Sequence, residues 1–394
     1  MFAVLTPARK LIARLTVLLS ALWLAACEPI SINPMGNSGQ KIDPNAPVPV
    51  ALLVPRGSGN SGDDLLAKNF ENAARLAISD LEGVKIDLRV YGTAGDPAQA
   101  QQAGLQAVAD GAKIIIGPLY AESANAVAVA VANQNVNVLS FSNNTTIAGG
   151  NLFVLGPTFG NTADRLVKYA ARNGKKRIML AHDNNVAGQL GAQAIEGAIA
   201  GSGAQLAGKV GYELSQQGVV AAAPKIAQAA QAGGADALFL TANTAGALPL
   251  LTQMLPEQGL APASIQYIGL SRWDIPAQVL ELPGVQGGWF ALPDPNTTAR
   301  FRSRYSAAFG SDPHPLGGLA YDGIAAIGAL VKSGRDNALT TAGLTQNAGF
   351  QGVNGIFRLR PNGTNERGLA VAQIKNKQVV VIDPAPRAFG GAGF

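Results

Sequence analysis

The sequence predicts an α/β protein of two doubly wound lobes, each built on a parallel sheet with helices on both faces, and joined by a multi-strand hinge. Short apolar runs rich in β-branched residues alternate with helical patterns along the 394 residues. Strands of this kind are typical of parallel sheets that are covered on both faces. The alternation occurs twice with similar spacing. We therefore predict two lobes, each with its own core.

The predicted elements follow the chain as strand, helix, strand. Four strands form a first set, four form a second set and a ninth follows, at residues 48–54, 85–91, 113–116, 136–141, 177–181, 205–211, 237–240, 267–269 and 287–290. Apolar residues at helical spacing predict the helices between them. These helices are expected at residues 65–81, 97–110, 122–134, 160–173, 187–202, 219–232, 244–258, 297–309 and 316–333.

The chain is expected to cross between the lobes near residues 151–161, 289–298 and 340–348. The predicted domains are lobe 1 at 48–157 and 293–345, lobe 2 at 158–292 and 346–383, and a disordered tail at 384–394. Ligands of open α/β sheets bind at the carboxyl ends of the strands. Two lobes that face each other would therefore enclose one ligand cleft.

Residues 1–26 have the pattern of an export signal, with a basic start and an apolar stretch too short to span a bilayer permanently. Two alanines then precede Cys27, the only cysteine, in an arrangement that closely resembles a bacterial lipobox. We predict that acyl chains on Cys27 anchor the exported protein to a membrane. Because Glu28 follows and not aspartate, the periplasmic face of the outer membrane is the first choice and the outer face of the inner membrane the second.

Residues 27–47 are rich in Pro, Asn, Gly and Ser and lack an apolar period. This composition predicts a flexible tether between the lipid anchor and the first strand. A packed N-terminal arm is the alternative that the composition leaves open.

The net charge gives no support for a nucleic-acid partner. The chain has 30 basic and 25 acidic residues, and removal of the signal with Arg9, Lys10 and Arg14 leaves 27 basic residues, a net charge of +2. A nearly neutral chain lacks the electrostatic footprint of a nucleic-acid-binding protein. With a single cysteine no disulfide can form within the chain, and the fold must depend on its cores.

Residue types that carry catalysis or bind metals are sparse. His182 and His314 are the only histidines, and neither a zinc signature nor a G-x-S-x-G elbow occurs. Asp63 and Asp64 begin a predicted helix, where acidic residues complement the helix dipole. We therefore expect no enzymatic activity, no metal and no cofactor.

A glycine-rich loop at residues 57–62 follows the first strand with the pattern G-x-G-x-x-G, which alone suggests a dinucleotide site. A Pro-Arg pair separates the strand from the first glycine, and two aspartates carry negative charge to the place where a pyrophosphate would bind. We therefore interpret the loop as the first cleft-facing loop of a binding lobe. Its candidate ligand contacts are Arg56, Ser58, Asn60 and Ser61.

Several motifs occur in order between residues 48 and 380. They include VALLVPRGSG, GDPAQAQQAGLQAVADGAKIIIGPLYAESA, NQNVNVLSFSNNTT, KRIMLAHDN, GADALFLTAN and LAYDGIAAI. In order and spacing they resemble the type I periplasmic-binding-protein superfamily, specifically its leucine-binding class. The resemblance implies the two-lobed fold of that family, with a small-molecule cleft between the lobes.

Alignment to these motifs implies ligand contacts from the loops that follow the strands. In lobe 1 the implied contacts are Tyr120, Ser123, Ser142, Asn144 and Thr145, and in lobe 2 they are His182, Asn184, Asn243, Ser271, Arg272 and Asp274, with Tyr321 on a later helix. The family's usual hydroxyl and aromatic positions fall on Ala121 and Val186, which departs from an amino-acid site. Asp274 is the only nearby partner for an α-ammonium group. Arg56 and Arg272 would suit an anionic ligand, and the Asn, Ser and Thr side chains a polar uncharged one.

A second set of motifs comprises IIIGPLY, NVNVLSFSNN, DALFLTANTAGALPLLTQML, IGLSRWD and GVNGIFRLRPNGTNERGLAVAQIKNKQVV. With the lipobox, they resemble the C-terminal domain of the penicillin-binding protein activators, outer-membrane lipoproteins that stimulate peptidoglycan synthases. This resemblance implies a non-catalytic regulator that binds a peptidoglycan synthase. The alternative is a substrate-binding lipoprotein that delivers an amino acid or another small polar solute to an ABC permease.

Overall fold

The computed structural model describes residues 38–390, which form two lobes on separate sheets. The predicted signal peptide and Cys27 lie outside the described residues, as do residues 391–394. Within the described range, no helix is long and apolar enough to cross a membrane.

Lobe 1 is built on five parallel strands in the order β2-β1-β3-β4-β5. The strands are Val48–Val54 (β1), Ile86–Gly92 (β2), Ile114–Ile116 (β3), Asn137–Ser140 (β4) and Leu152–Val154 (β5). The helices packed on this sheet are Ser61–Ser79 (α1), Pro97–Ala109 (α2), Ala121–Val131 (α3), Pro295–Phe309 (α8) and Gly318–Lys332 (α9).

Strand β1 shows why helices cover both faces of this sheet. Val50, Leu52 and Val54 belong to the core shared with α1, α8 and α9. Ala51 and Leu53 belong to the core shared with α2 and α3. All five side chains are fully buried, so each of these five positions needs an apolar residue.

Lobe 2 contains a seven-stranded sheet in the order β15-β14-β10-β9-β8-β6-β7. Its parallel strands are Arg177–Asp183 (β6), Gln205–Tyr212 (β7), Ala237–Leu240 (β8), Gln266–Gly269 (β9) and Trp289–Leu292 (β10). Ala370–Lys375 (β14) and Gln378–Asp383 (β15) extend the sheet in antiparallel pairing. The helices of this lobe are Phe159–Arg172 (α4), Val186–Ala200 (α5), Gln216–Ala232 (α6) and Leu248–Glu257 (α7).

A third sheet lies between α9 and β14 in the sequence. After the short helix Thr341–Leu344 (α10), it consists of the antiparallel strands Phe350–Gly352 (β11), Gly355–Leu359 (β12) and Asn365–Arg367 (β13). The buried Asn365 amide donates hydrogen bonds to the carbonyls of Val154 at 2.7 Å and Gly156 at 2.8 Å. These bonds tie the third sheet to the segment that leaves lobe 1 after β5.

The predicted α/β fold class with two parallel-sheet lobes is confirmed. All nine predicted strands occur, with ends that differ by at most two residues from those observed. Strand β5 was assigned only to a crossing, and β11–β15 were not predicted as strands. Strands of three residues, such as β5, β11 and β13, are too short to show a repeating apolar pattern. The exact lobe boundaries stay predictions.

The described ends of the chain pack against the body of the protein. In the segment predicted as a tether, Ile42 is buried and Ser38 donates a hydrogen bond of 2.9 Å to the Asn137 side chain. Residues 38–47 therefore form the packed arm that the composition left as an alternative. In the segment predicted as a disordered tail, the Phe389 ring lies 4.4 Å from the Arg358 guanidinium.

Candidate functional site

The first loop at the carboxyl edge of lobe 1, where its parallel strands end, is held by its own side chains. Asn60 accepts a hydrogen bond of 2.9 Å from Gly62 N and caps α1. The Ser58 hydroxyl accepts from Asn60 N at 3.1 Å. Ser61, the first residue of α1, is exposed. The structure thus assigns loop-stabilising contacts to two of the predicted ligand contacts, Ser58 and Asn60.

Arg56, the predicted positive group of this loop, forms an ion pair of 2.7 Å with Glu71 on α1. Glu71 also pairs with Arg75 at 2.7 Å. Burial alone would raise the pKa of Glu71, but the hydrogen bonds from both arginines hold it below its ordinary value. An anionic ligand would therefore compete with Glu71 for Arg56.

A depression of about 480 Å³ brings two predicted contacts together at this edge. Tyr120 donates a hydrogen bond of 2.5 Å to Asp63, and this bond and partial burial raise the pKa of Tyr120 to about 12. Ser123 is buried beside the Gly95 carbonyl, with its hydroxyl 3.5 Å from that oxygen. The loops after β1, β2 and β3 therefore converge around one polar recess.

The loop after β4 carries the remaining predicted contacts of lobe 1. The Ser142 side chain is buried, and its hydroxyl accepts from Asn144 N at 3.1 Å. The Asn144 side chain in turn accepts from Thr146 N at 2.9 Å. Thr145 is exposed. Its hydroxyl is therefore available to a ligand, whereas Ser142 and Asn144 shape the loop.

In lobe 2, three predicted residues lie at the carboxyl ends of β6 and β8. His182 is buried, with Nδ1 3.1 Å from the Asp183 carbonyl oxygen. Asn184 donates to Glu213 at 2.9 Å. Asn243 follows β8 and is exposed. Only His182 of the three is inaccessible to an approaching solute.

The loop after β9 contains a closed ion pair. Arg272 donates to Asp274 through Nε at 2.6 Å and Nη2 at 2.5 Å, a bidentate arrangement. The Ser271 hydroxyl donates to the Ala242 carbonyl at 3.2 Å. Bidentate pairs are the strongest arginine–carboxylate contacts. Arg272 and Asp274, which were both predicted to contact the ligand, are therefore paired with each other.

Tyr321 lies apart from the other predicted contacts. Its hydroxyl donates a hydrogen bond of 2.5 Å to Asp80, which follows the last residue of α1. The loop at Ser61 is at the opposite end of this helix of 19 residues, about 28 Å away at 1.5 Å per residue. The structure therefore does not bring Tyr321 to the carboxyl edge.

Three polar groups that the sequence did not single out lie at or just after the carboxyl ends of strands in lobe 2. Among the described residues, Asp183 Oδ1, the Tyr212 hydroxyl and Trp273 Nε1 are buried without a hydrogen-bond partner. Burial raises the pKa of Asp183 above its ordinary value. Buried unpaired polar groups are rare and mark functional or strained places. Their positions at strand ends could have suggested them as site residues, but the sequence does not show that they are buried and unpaired.

Apolar side chains are exposed around both carboxyl edges. In lobe 2, Val186 is 75% exposed, and Leu214 and Ile275 are each 50% exposed. In lobe 1, Leu65, the fifth residue of α1, is 58% exposed. These side chains are accessible to an apolar part of a ligand or a partner.

No group of three or more His, Cys, Asp or Glu side chains within residues 38–390 could hold a metal ion. His314, the second histidine, accepts a hydrogen bond of 3.1 Å from Leu316 N through Nδ1. Burial lowers its pKa. Its ring therefore stabilises a local turn.

Comparison with known proteins gives a family match over residues 47–378, to the model described as periplasmic binding protein. No curated protein matches the chain. Many solved structures share the fold. One is a candidate branched-chain amino acid ABC transporter of Rhodospirillum rubrum, with a TM-score of 0.71, 17% identity and coverage of 86% of this chain and 100% of the other.

Two further structures come from transport systems. A branched-chain amino acid ABC transporter periplasmic ligand-binding protein of Burkholderia xenovorans has a TM-score of 0.67 and 19% identity, and covers 87% and 97% of the two chains. An ABC transporter solute-binding protein of Rhodopseudomonas palustris, in complex with 3,4-dihydroxybenzoic acid, has a TM-score of 0.57 and 19% identity, and covers 86% and 96%. At these identities the similarity shows the fold alone.

Proposed function

Because the chain belongs to the periplasmic binding protein family, with a leucine-binding-protein-like fold, we propose that it is the substrate-binding protein of an ABC transporter. It collects a small solute in the periplasm and delivers it to a permease, without catalysis. The solved neighbours that come from ABC transporters support this proposal.

The solute that the carboxyl edges suit is polar and uncharged. Asp274 is the carboxylate that the family resemblance suggests as the partner of an α-ammonium group. It already forms a bidentate ion pair with Arg272. Arg56 pairs with Glu71 through Nη2 alone, at 2.7 Å. A charged ligand group desolvated beside these pairs would lack a free counter-charge, which costs several kcal/mol. The bidentate Arg272–Asp274 pair is the observation that carries this part of the proposal.

A thermal-shift screen of the full chain tests the solute class. The matched sets are free amino acids including leucine, carboxylic acids including benzoate, and uncharged amides and polyols. A ligand at 100 times its Kd stabilises by about 2.7 kcal/mol, which raises the unfolding temperature measurably. We expect this rise from a member of the uncharged set. Stabilisation by free amino acids alone would contradict the proposed class.

Export and lipid anchoring remain part of the proposal. Cys27, the predicted acylation site, would hold the protein at the periplasmic face of the outer membrane or at the outer face of the inner membrane. We expect Cys27→Ala to release the mature protein from washed membranes. Density-gradient separation of the two membranes identifies the location of the unaltered protein.

Regulation of a peptidoglycan synthase is the second candidate function. It is favoured by the exposed apolar side chains of lobe 2, Val186, Leu214 and Ile275, together with the resemblance to the penicillin-binding protein activators. Membranes that carry the tagged protein should then yield a peptidoglycan synthase on pull-down, and Val186→Asp should weaken its recovery. Val129→Asp is the matched control, because Val129 is 70% exposed but lies in lobe 1 on α3. Recovery of an ABC permease in place of the synthase would favour the first candidate.

A further inference from the structure

A groove of about 560 Å³ lies along α8, and we name it the arginine groove. Arg300, Phe301 and Arg304 of α8 line one side. The rest of the lining includes Tyr321, Val353, which follows β11, and Arg387 near the end of the described chain. Since α8 follows β10 directly and β11 follows α10, segments from two predicted lobe crossings meet here.

The groove has an excess of positive charge. Arg304 is neutralised by Asp80, to which it donates through Nη1 at 2.7 Å. Asp294, the carboxylate that lines the groove, caps α8 by accepting from Asn296 N at 2.9 Å. Within residues 38–390, neither Arg300 nor Arg387 has an ion-pair or hydrogen-bond partner for its guanidinium, and both residues are exposed.

Aromatic rings accompany these cations. Phe301 and Tyr321 meet edge to face with ring centroids 5.7 Å apart and an interplanar angle of 69°. Phe301 is almost fully buried, and Tyr321 is held by its hydrogen bond to Asp80. The rings are therefore fixed, and the partly buried Tyr321 ring, packed on Phe301, gives the groove an ordered apolar surface.

We propose that the arginine groove binds a small aromatic molecule that carries an oxyanion, a phosphate or a carboxylate. Arginine recognises both anions through paired N–H donors. An aromatic ring of the ligand would contact the Tyr321 ring in an offset or edge-on arrangement. The volume of the groove lies within the usual range for small-molecule sites, about 300–1,000 Å³. The end of the groove at Arg304 and Tyr321, which both bond to Asp80, lies about 28 Å along α1 from the loop at Ser61.

Calorimetric titration of the full chain with four probes tests the assignment. Phenyl phosphate and phenylacetate carry the two anion types on a ring, inorganic phosphate carries the anion alone, and phenol carries the ring alone. We expect one of the two ring-bearing anions to bind at least tenfold more tightly than inorganic phosphate and phenol. Equal affinity for inorganic phosphate would overturn the aromatic part of the proposal. No saturable binding of either ring-bearing anion up to about 10 mM would overturn the site.

Substitutions locate the binding. Arg300→Gln and Arg387→Gln each remove one charge-assisted contact and should weaken binding about tenfold or more. Arg302→Gln is the control on the same helix, because Arg302 pairs with Asp312 and does not line the groove. All three residues are exposed, so the unfolding temperature without ligand should hardly change. Equal affinity in the Arg300 and Arg387 variants and in the unaltered chain would show that the probe binds elsewhere, and the assignment would then fail.

Discussion

Asp322 and Arg367 form a buried ion pair that joins lobe 1 to the third sheet. Asp322 Oδ2 lies 3.1 Å from Arg367 Nη1, and their side chains are 0% and 3% exposed. Asp322 Oδ1 accepts from Val353 N at 2.8 Å, and Arg367 donates to the Leu155 carbonyl through Nε at 3.1 Å. Two of the segments that connect the lobes therefore depend on this pair. Asp322→Asn is the perturbation of choice, since it removes the charge and keeps the shape.

The expected loss of unfolding free energy is about 3–5 kcal/mol, because the substitution leaves the Arg367 charge buried without its counter-charge. The Asn oxygen can still accept from Val353 N, so no backbone amide is orphaned. Asp322→Ala removes this acceptor as well and should cost about 1–3 kcal/mol more. These losses are a large part of a typical total stability of about 5–15 kcal/mol.

Urea unfolding of the full chain, followed by intrinsic fluorescence, measures these values. Glu281→Gln is the control, because Glu281 forms an exposed ion pair with Lys377 and such pairs contribute about 0–1 kcal/mol. The double variant with Arg367→Met should lose less than the sum of the two single variants, since neither charge is then left alone. A loss below about 1 kcal/mol for Asp322→Asn would refute the role of the pair.

Three further predictions concern the carboxyl edges. Asn60→Ala should lower the unfolding free energy by about 1 kcal/mol, because the cap on Gly62 N is lost, whereas Asn60→Ser should retain most of it in the same urea assay. Burial raises the pKa of Asp183 in the folded chain. Between the unfolded pKa of about 3.9 and the folded pKa, the folded chain therefore binds more protons than the unfolded chain, and its stability falls as the pH rises through this range. Asp183→Asn should therefore be more stable than the unaltered chain at pH 7, and urea titrations at lower pH should show this advantage shrinking towards about pH 4. Arg272→Gln should free Asp274 from its bidentate pair, and leucine should then raise the unfolding temperature of the variant more than that of the unaltered chain.

Much of the fold could be predicted because its strands are buried on both faces. In β1 every residue but Pro49 is buried, so the whole run is apolar and is bounded by prolines and glycines. Strands β5 and β13 have three residues each, and a side-chain contact between segments far apart in the chain links them. Asn365 of β13, for example, bonds to the Val154 carbonyl 211 residues away. No local pattern contains that contact.

The candidate site was less predictable, because a side chain's position in a loop does not determine its partner. Arg56 was expected at the cleft, yet its partner Glu71 lies 15 residues further on along α1. Arg272 and Asp274 are only two residues apart, but the same spacing would also allow each to face a ligand. Tyr321 belongs to a matching motif, and its hydroxyl bonds to Asp80, 241 residues earlier. Motif position indicates which loop a residue is in, whereas packing decides where its side chain points.

The distribution of paired and unpaired arginines separates two kinds of recognition. Arg56 and Arg272 at the carboxyl edges have carboxylate partners, and an anion there would compete with Glu71 or Asp274 for the guanidinium group. Arg300 and Arg387 have no such partner among the described residues, so an anion there displaces water only. Anion binding should therefore be weaker at the edges than in the arginine groove. The edges can discriminate through hydroxyls, amides and exposed apolar side chains, which suits either an uncharged solute or a protein surface.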